Sequence, residues 1–198
     1  NSAVFCGALD AVQNGENVYV YYQRNALSAT ENVTFEALMN TERTIAMARA
    51  SINDTKKWSS SPVRALDGEG GQYRITEVEP FVHDGILGEI IVIDRSGRLL
   101  SYDSASGDMK PDIGDRQLYL RTYTFSEDGT PTTTSLIALS DAADCAQSPE
   151  VVSNESFLYL FWNNNGEIVY TPDFVAKDSD DELTLTKAIV LGGASGDS

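Results

Sequence analysis

Apolar residues come in short runs broken by Asn, Asp and Gly. From Phe157 to Trp162 the chain is apolar, and Asn163-Asn164-Asn165-Gly166 interrupts it. A second β-prone run follows from Glu167 to Tyr170. Two such runs around an Asn/Gly connection predict a β-hairpin. The same phrase occurs 69 residues earlier. Pro80, Val82, Asp94-Arg95-Ser96-Gly97 and Leu99 stand where Pro149, Val151, Asn163-Asn164-Asn165-Gly166 and Ile168 stand, without a gap. Shifted by 70 residues, Val12 and Gly15 fall on Val82 and Gly85, which suggests a first copy. A hairpin repeated at long period predicts an array of β-sheets.

Within the first copy, Asn17 to Tyr22 is aromatic and β-branched enough to be a strand. Residues 25–43 take the place of the hairpin turn. They carry a capping box, Ser28-x-x-Glu31, and apolar Phe35, Leu38 and Met39 at helical spacing, so a short helical insertion is expected. A continuous helix from Thr34 to Ala50 is the rival, although Thr44 to Arg49 also alternates as a strand would. After the Gly-rich 67–71 linker, strands are expected at about Thr76–Val82, Glu89–Asp94 and Arg98–Tyr102. A loop is expected over 103–115, with further strands over Leu118–Phe125 and Thr133–Leu139. The third unit runs from Ser148 to Leu191, and the last residues form a tail. Three units follow, 1–66, 72–139 and 148–191, in one β-repeat domain or a segment of a longer one. The chain opens on Asn1, which reads as a mature or excised piece.

Three turns share a further pattern. Ser51-x-Asn53 is followed by Trp58 and Pro62, Ser126-x-Asp128 by Thr132, and Ser179-x-Asp181 keeps the opening alone. Each falls between an apolar strand and a short strand ending in Leu66, Leu139 or Leu191. This set resembles the Asp-box hairpins, Ser-x-Asp-x-Gly-x-Thr-Trp, of sialidase-type β-propellers. Thr55 stands in place of the Gly and Lys57 in place of the Thr, and only Trp58 keeps the Trp. The resemblance implies an all-β fold of about three four-stranded antiparallel propeller-like blades; a β-sandwich satisfies the same short strands. In that family the box is structural, so it implies fold and no chemistry. Three blades also leave an unclosed edge, through which the sheets could self-associate.

Charge narrows the partners. A net charge of −16 with 14 scattered basic residues argues against nucleic acid and anionic membrane surfaces. No stretch reaches the roughly 20 apolar residues of a spanning helix. Cys6 and Cys145 are too few for a disulfide framework and are expected as free thiols. Three glycosylation sequons, at Asn32, Asn53 and Asn154, carry little weight in an Asn-rich chain.

Candidate chemistry is sparse. His83, the single histidine, reads as a polar residue at a strand end near an Asp84-Gly85 turn. No cofactor is expected. Calcium is the one metal considered, at Asp178, Asp180 and Asp181 with Glu182, or at Asp103, Asp108, Asp112 and Asp115, since a hard cation wants several oxygens. Neither run matches an EF-hand, and solvated acidic loops are the simpler expectation. Sialidases use an arginine cluster, a Tyr/Glu pair and an acidic residue. Arg49, Arg64, Arg121, Tyr123, Glu79 and Asp84 are residues of those types, but no motif assigns them. Tyr19, Tyr21, Tyr22, Tyr159, Phe161 and Trp162 could stack on sugars, though packing between sheets is the stronger expectation. The sequence thus favours a non-catalytic, extracellular or cell-surface binding module for a glycan or protein. A segment of a sialidase-type glycoside hydrolase and a structural spacer of a large surface protein are the alternatives.

Overall fold

The computed structural model describes residues 6–25, 43–63, 74–94, 100–111, 116–126, 131–133, 136–141, 145–153, 157–172, 176–177, 183–184 and 189–193. These residues are all-β. The strands are β1 (Cys6–Asn14), β2 (Asn17–Asn25), β3 (Arg43–Ser51), β4 (Asp54–Val63), β5 (Arg74–His83) and β6 (Ile86–Asp94). Next come β7 (Leu100–Asp103), β8 (Asp108–Pro111), β9 (Arg116–Phe125), β10 (Pro131–Thr133), β11 (Ile137–Ala138) and β12 (Ala146–Ser153). The last are β13 (Leu158–Asn164), β14 (Glu167–Pro172), β15 (Ala176–Lys177), β16 (Leu183–Thr184) and β17 (Ile189–Gly193).

They form three principal antiparallel sheets. Sheet one has the order β1-β2-β3-β4, and sheet three β12-β13-β14-β17. Sheet two has the order β10-β9-β6-β5, with β11 also on β9. Small hairpins β7-β8 and β15-β16 stand apart from these sheets. The tight turns follow from local chemistry. Asp84-Gly85 and Asn165-Gly166 both have positive φ at both positions (49° and 75°, 53° and 90°), the backbone a two-residue hairpin needs to match strand twist.

Sheet two is covered on both faces, which explains why β6 and most of β9 are buried without alternation. Odd-numbered Leu87, Ile91, Ile93, Tyr119 and Tyr123 meet Tyr19, Tyr21, Ile45 and Met47 of sheet one. Even-numbered Ile90, Val92, Leu118 and Leu120 meet Leu158, Leu160, Trp162 and Val169 of sheet three. The first strands β5, β1 and β12 gather on one side of the stack, and each is the edge of its sheet.

Four expectations change. Residues 43–50 are strand β3, so the helix from Thr34 to Ala50 does not run through them; Ile45 and Met47 alternate into the core. The expected insertion over 25–43 falls mostly outside the described residues. Asp94 to Gly97 does not join two neighbouring strands of one sheet. β6 pairs with β5 and β9, while β7 turns back on β8 inside the stretch expected as a loop. The gapless alignment holds along the second strands and slips along the first: Glu79 lies opposite Ile90, but Val152 lies opposite Tyr159. Pro80 and Pro149 are therefore not equivalent. Finally, the Ser51 turn forms, with the Asn53 N–H donating to Ser51 Oγ at 3.2 Å. Trp58, however, stays 49 % exposed and donates from Nε1 to the Thr55 carbonyl rather than packing into the sheet.

Candidate functional site

A cleft of about 280 Å³ opens where the first strands meet. Its walls are Asp10 on β1, Tyr22 on β2, Thr76, Glu77 and Glu79 on β5, and Ser148 and Glu150 on β12. Each first strand carries a register break, between Cys6 and Leu9, Ile75 and Glu77, and Gln147 and Glu150. A bulge bends an edge strand and re-aims its side chains. Thr76 and the Ser148-Pro149 pair fall in two of these bulges, and both line the cleft. Ser148 sits at φ 50°, in the left-handed region that favours glycine. Pro149, lacking an N–H, suits the interrupted ladder.

The edge of β12 leaves backbone donors pointing away from its sheet, and β5 supplies acceptors. The Ser148 N–H donates to Glu77 Oε2 at 2.9 Å, and the Val151 N–H reaches Glu79 Oε1 at 3.5 Å. Glu77 also lies 3.8 Å from Arg116, whose other neighbour is Asp94 at 3.9 Å. Glu79 is different. Its carboxyl hydrogen-bonds that of Asp10, with Glu150 also close. Burial pushes the Glu79 carboxyl up to about 8, and the bond to Asp10 and the charges of Asp10 and Glu150 push the same way; the Val151 N–H opposes them. Burial also raises Glu77, against the pull of the Ser148 N–H and Arg116. No lysine, arginine or histidine is among the described residues that line this cleft.

A second polar group is sealed between sheets one and two. Glu89 and Arg121 stand directly opposite on β6 and β9. Arg121 Nε donates to Glu89 Oε1 at 2.6 Å, Nη2 contacts the same oxygen, and Tyr123 donates to it at 2.9 Å. Burial pushes the Glu89 carboxyl up, while Arg121 and Tyr123 pull it back. Tyr21 is near enough to perturb the carboxylate, yet its hydroxyl and Glu89 Oε2 close no hydrogen bond. The guanidinium stays charged, and little solvent reaches the pair. It is a structural contact.

The residues weighed in the sequence scatter. Of the sialidase-like types, only Glu79 reaches the cleft. Arg121 and Tyr123 are in the sealed group, Arg49 lies over the Phe125 ring at 5.9 Å, and Asp84 is exposed at its turn. Arg64 lies outside the described residues. His83 ends β5 as expected, with Nε2 3.7 Å from Asp84. Asp178, Asp180, Asp181 and Glu182 also lie outside the described residues, as do Asp112 and Asp115; Asp103 and Asp108 are backbone register partners across β7-β8. Among the described residues no three His, Cys, Asp or Glu side chains are placed to hold a metal ion, and no helix is long and apolar enough to cross a membrane. Cys145 is a buried free thiol. Asn53 is exposed at its turn; Asn32 and Asn154 lie outside the described residues. Tyr19, Tyr21 and Trp162 are buried between sheets, Tyr22 lines the cleft, and Tyr159 and Phe161 lie on the outer face of sheet three.

Asp10, Glu77, Ser148 and Glu150 had drawn no attention in the sequence. A signal existed for Asp10. It lies 69 residues before Glu79, and the two occupy one structural position, opposite Tyr21 and Ile90. Comparison of the chain with protein-family models and with curated proteins returns no match.

Proposed function

We propose that the chain is a non-catalytic binding module, secreted or displayed at a cell surface, whose acidic cleft takes a basic group of a protein partner. Its scaffold is read as a propeller-like stack. Sheet two packs like sheets on both faces and the first strands collect on one side, as blades around an axis do. The degenerate Asp-box-like turns support the same reading.

One observation carries the binding role: Glu79 and Asp10 share a hydrogen bond in a half-buried cleft with Glu150 close by and no basic side chain on its walls. Carboxylates brought together without a counter-charge repel, and one holds its proton to relieve the repulsion. A guanidinium or ammonium entering the cleft supplies the missing charge and releases that proton. An anionic sugar would meet like charge. Hydrolysis of the sialidase type is less well supported, because its arginine cluster has no counterpart at this cleft.

The test is calorimetry with arginine-containing peptides, whose charge is constant across the range used. Glu79 is mostly protonated at pH 6 and ionised at pH 9, so affinity rises with pH, by about tenfold for one added ion pair. Glu79→Gln removes that rise. Binding to neutral glycans with no basic peptide bound at either pH overturns the reading. Silence towards both favours the structural spacer.

A further inference from the structure

The turn between β3 and β4 carries Asn53-Asp54-Thr55, an Asn-x-Thr acceptor sequence for N-linked glycans. Such triplets recur by chance, and the weight of this one comes from where the fold puts it. Ser51 stands opposite Asp54, so Ile52 and Asn53 are the two residues of a tight hairpin tip. Ser51 Oγ accepts from the Asn53 N–H at 3.2 Å and fixes the backbone of the turn. Asn53 and Thr55 are exposed, and among the described residues no hydrogen bond holds the Asn53 side-chain amide or the Thr55 hydroxyl.

The tip is also remote from the longer connections of its sheet. Asn17 pairs with Ser51, and the Ile52 N–H donates to the Glu16 carbonyl at 2.8 Å, so the tip lies beside the β1-β2 turn. Asn25 pairs with Arg43, and Val63 with Ile45. Residues 26–42 and 64–73 therefore leave sheet one from its other end, about 20 Å from Ser51 along β3 at roughly 3.3 Å per residue.

A second observation marks the same tip. Ile52 is 44 % exposed and Trp58 49 %, although the apolar residues facing sheet two, Tyr19, Tyr21, Ile45 and Met47, are buried. Trp58 Nε1 donates to the Thr55 carbonyl at 2.9 Å, so the indole is pinned beside the acceptor triplet. Two large apolar side chains held in water next to an unengaged Asn and Thr are a surface that a sugar attached there covers. The C–H face of a sugar fits a flat indole and leaves its hydroxyls to solvent.

We infer that Asn53 carries an N-linked glycan whose first sugars lie over Ile52 and Trp58. In the transfer, a bond forms between Asn53 Nδ2 and C1 of the first sugar. The bond from that C1 to a pyrophosphate oxygen of a lipid-linked oligosaccharide breaks, and the lipid pyrophosphate leaves as one amide proton is lost. Transfer takes place as a chain enters the secretory pathway, and the folded tip then keeps the glycan in solvent. The inference rests on the secreted or surface-displayed reading above and does not depend on what the acidic cleft binds.

The test is secretion of the 198-residue chain behind a cleavable leader from a eukaryotic host, with peptide mapping by mass spectrometry before and after peptide-N-glycosidase. Modification at Asn53 is expected, lost completely in Thr55→Ala and kept in Thr55→Ser, both of which leave Asn53 in place. Circular dichroism shows that the secreted chain is folded. A folded chain with Asn53 unmodified overturns the inference, as does modification confined to Asn32 or Asn154. Trp162 is buried, so acrylamide quenching of tryptophan fluorescence reports Trp58. Quenching should rise when the glycosidase removes the glycan, and unchanged quenching overturns its placement over the indole. Protein from its natural source separates this inference from the reading it rests on. Absence of the glycan there, with Asn53 modified in the leader-directed chain, places the fault in the secreted reading. Asn53 unmodified in the leader-directed chain places it in the acceptor assignment.

Discussion

The two seams that hold the stack are built differently. Between sheets two and three the contact is mainly apolar, with Ile90, Val92, Leu118 and Leu120 against Leu158, Leu160 and Trp162, and the buried Asp94 and Arg116 stand at the end of the same face of sheet two. Between sheets one and two, the apolar residues surround a buried charge pair, Glu89 with Arg121, and the hydroxyl of Tyr123. The apolar seam supplies burial, which scales with area and tolerates change of shape. A buried pair contributes little net stability, because desolvation offsets most of the attraction. It does penalise any register that separates its members. The difference suggests that the first seam holds the sheets together, and the second sets how sheet one is seated.

Breaking the charged seam on one side should have the largest effect. Arg121→Ala strands Glu89 in an apolar layer and should cost about 3–5 kcal/mol in denaturant unfolding. Leu160→Ala, at a fully buried position in the apolar seam, should cost about 2–5 kcal/mol. Gly88→Ala sharpens the same seam. Gly88 lies opposite Phe81, and an added Cβ would overlap the buried Phe81 ring, so a loss of about 1–3 kcal/mol is expected. Replacing both charges, with Glu89→Leu and Arg121→Met together, should change stability by less than about 1 kcal/mol in either direction. A large loss in that double variant would mean the pair stabilises the seam outright.

The last effect concerns pH and belongs to the cleft beside the seams. Glu79 has a folded value raised to about 8 against an ordinary 4.5, so the folded state holds the extra proton between those values. Its contribution to stability is complete below about 4.5 and is lost as pH rises through about 8. The chain should therefore be more stable at pH 6 than at pH 9, and Glu79→Gln should reduce that difference. An unchanged difference in the variant would assign the pH dependence to other groups.

Much of the fold was legible. Two-residue Asp-Gly and Asn-Gly turns specify hairpins locally, and the alternation of Ile45 and Met47 marked a strand over the rival helix. Trp162 shares its place with Ile93, and both are buried in seams between sheets. The misreadings came from non-local pairing. Nothing near Asp94 to Gly97 tells whether the following strand stays in the parent sheet, and here β9 takes the place beside β6 instead of β7. The four-residue register difference in sheet three depends on the longer connection after β12, which a gapless alignment cannot carry. The cleft was the least legible part. It is assembled from three edge strands far apart in sequence, and only the spacing of Asp10 and Glu79 hinted at it.

The state of the Glu79 carboxyl is the most direct test. Carboxyl-carbon NMR of the labelled chain, assigned through Glu79→Gln, follows that group alone through a pH titration. A midpoint near 8, moving down when an arginine peptide is added, is the expected result. A midpoint near the ordinary glutamate value of 4.5, unmoved by the peptide, would contradict it: the cleft would then have no unmet charge for a basic partner to satisfy.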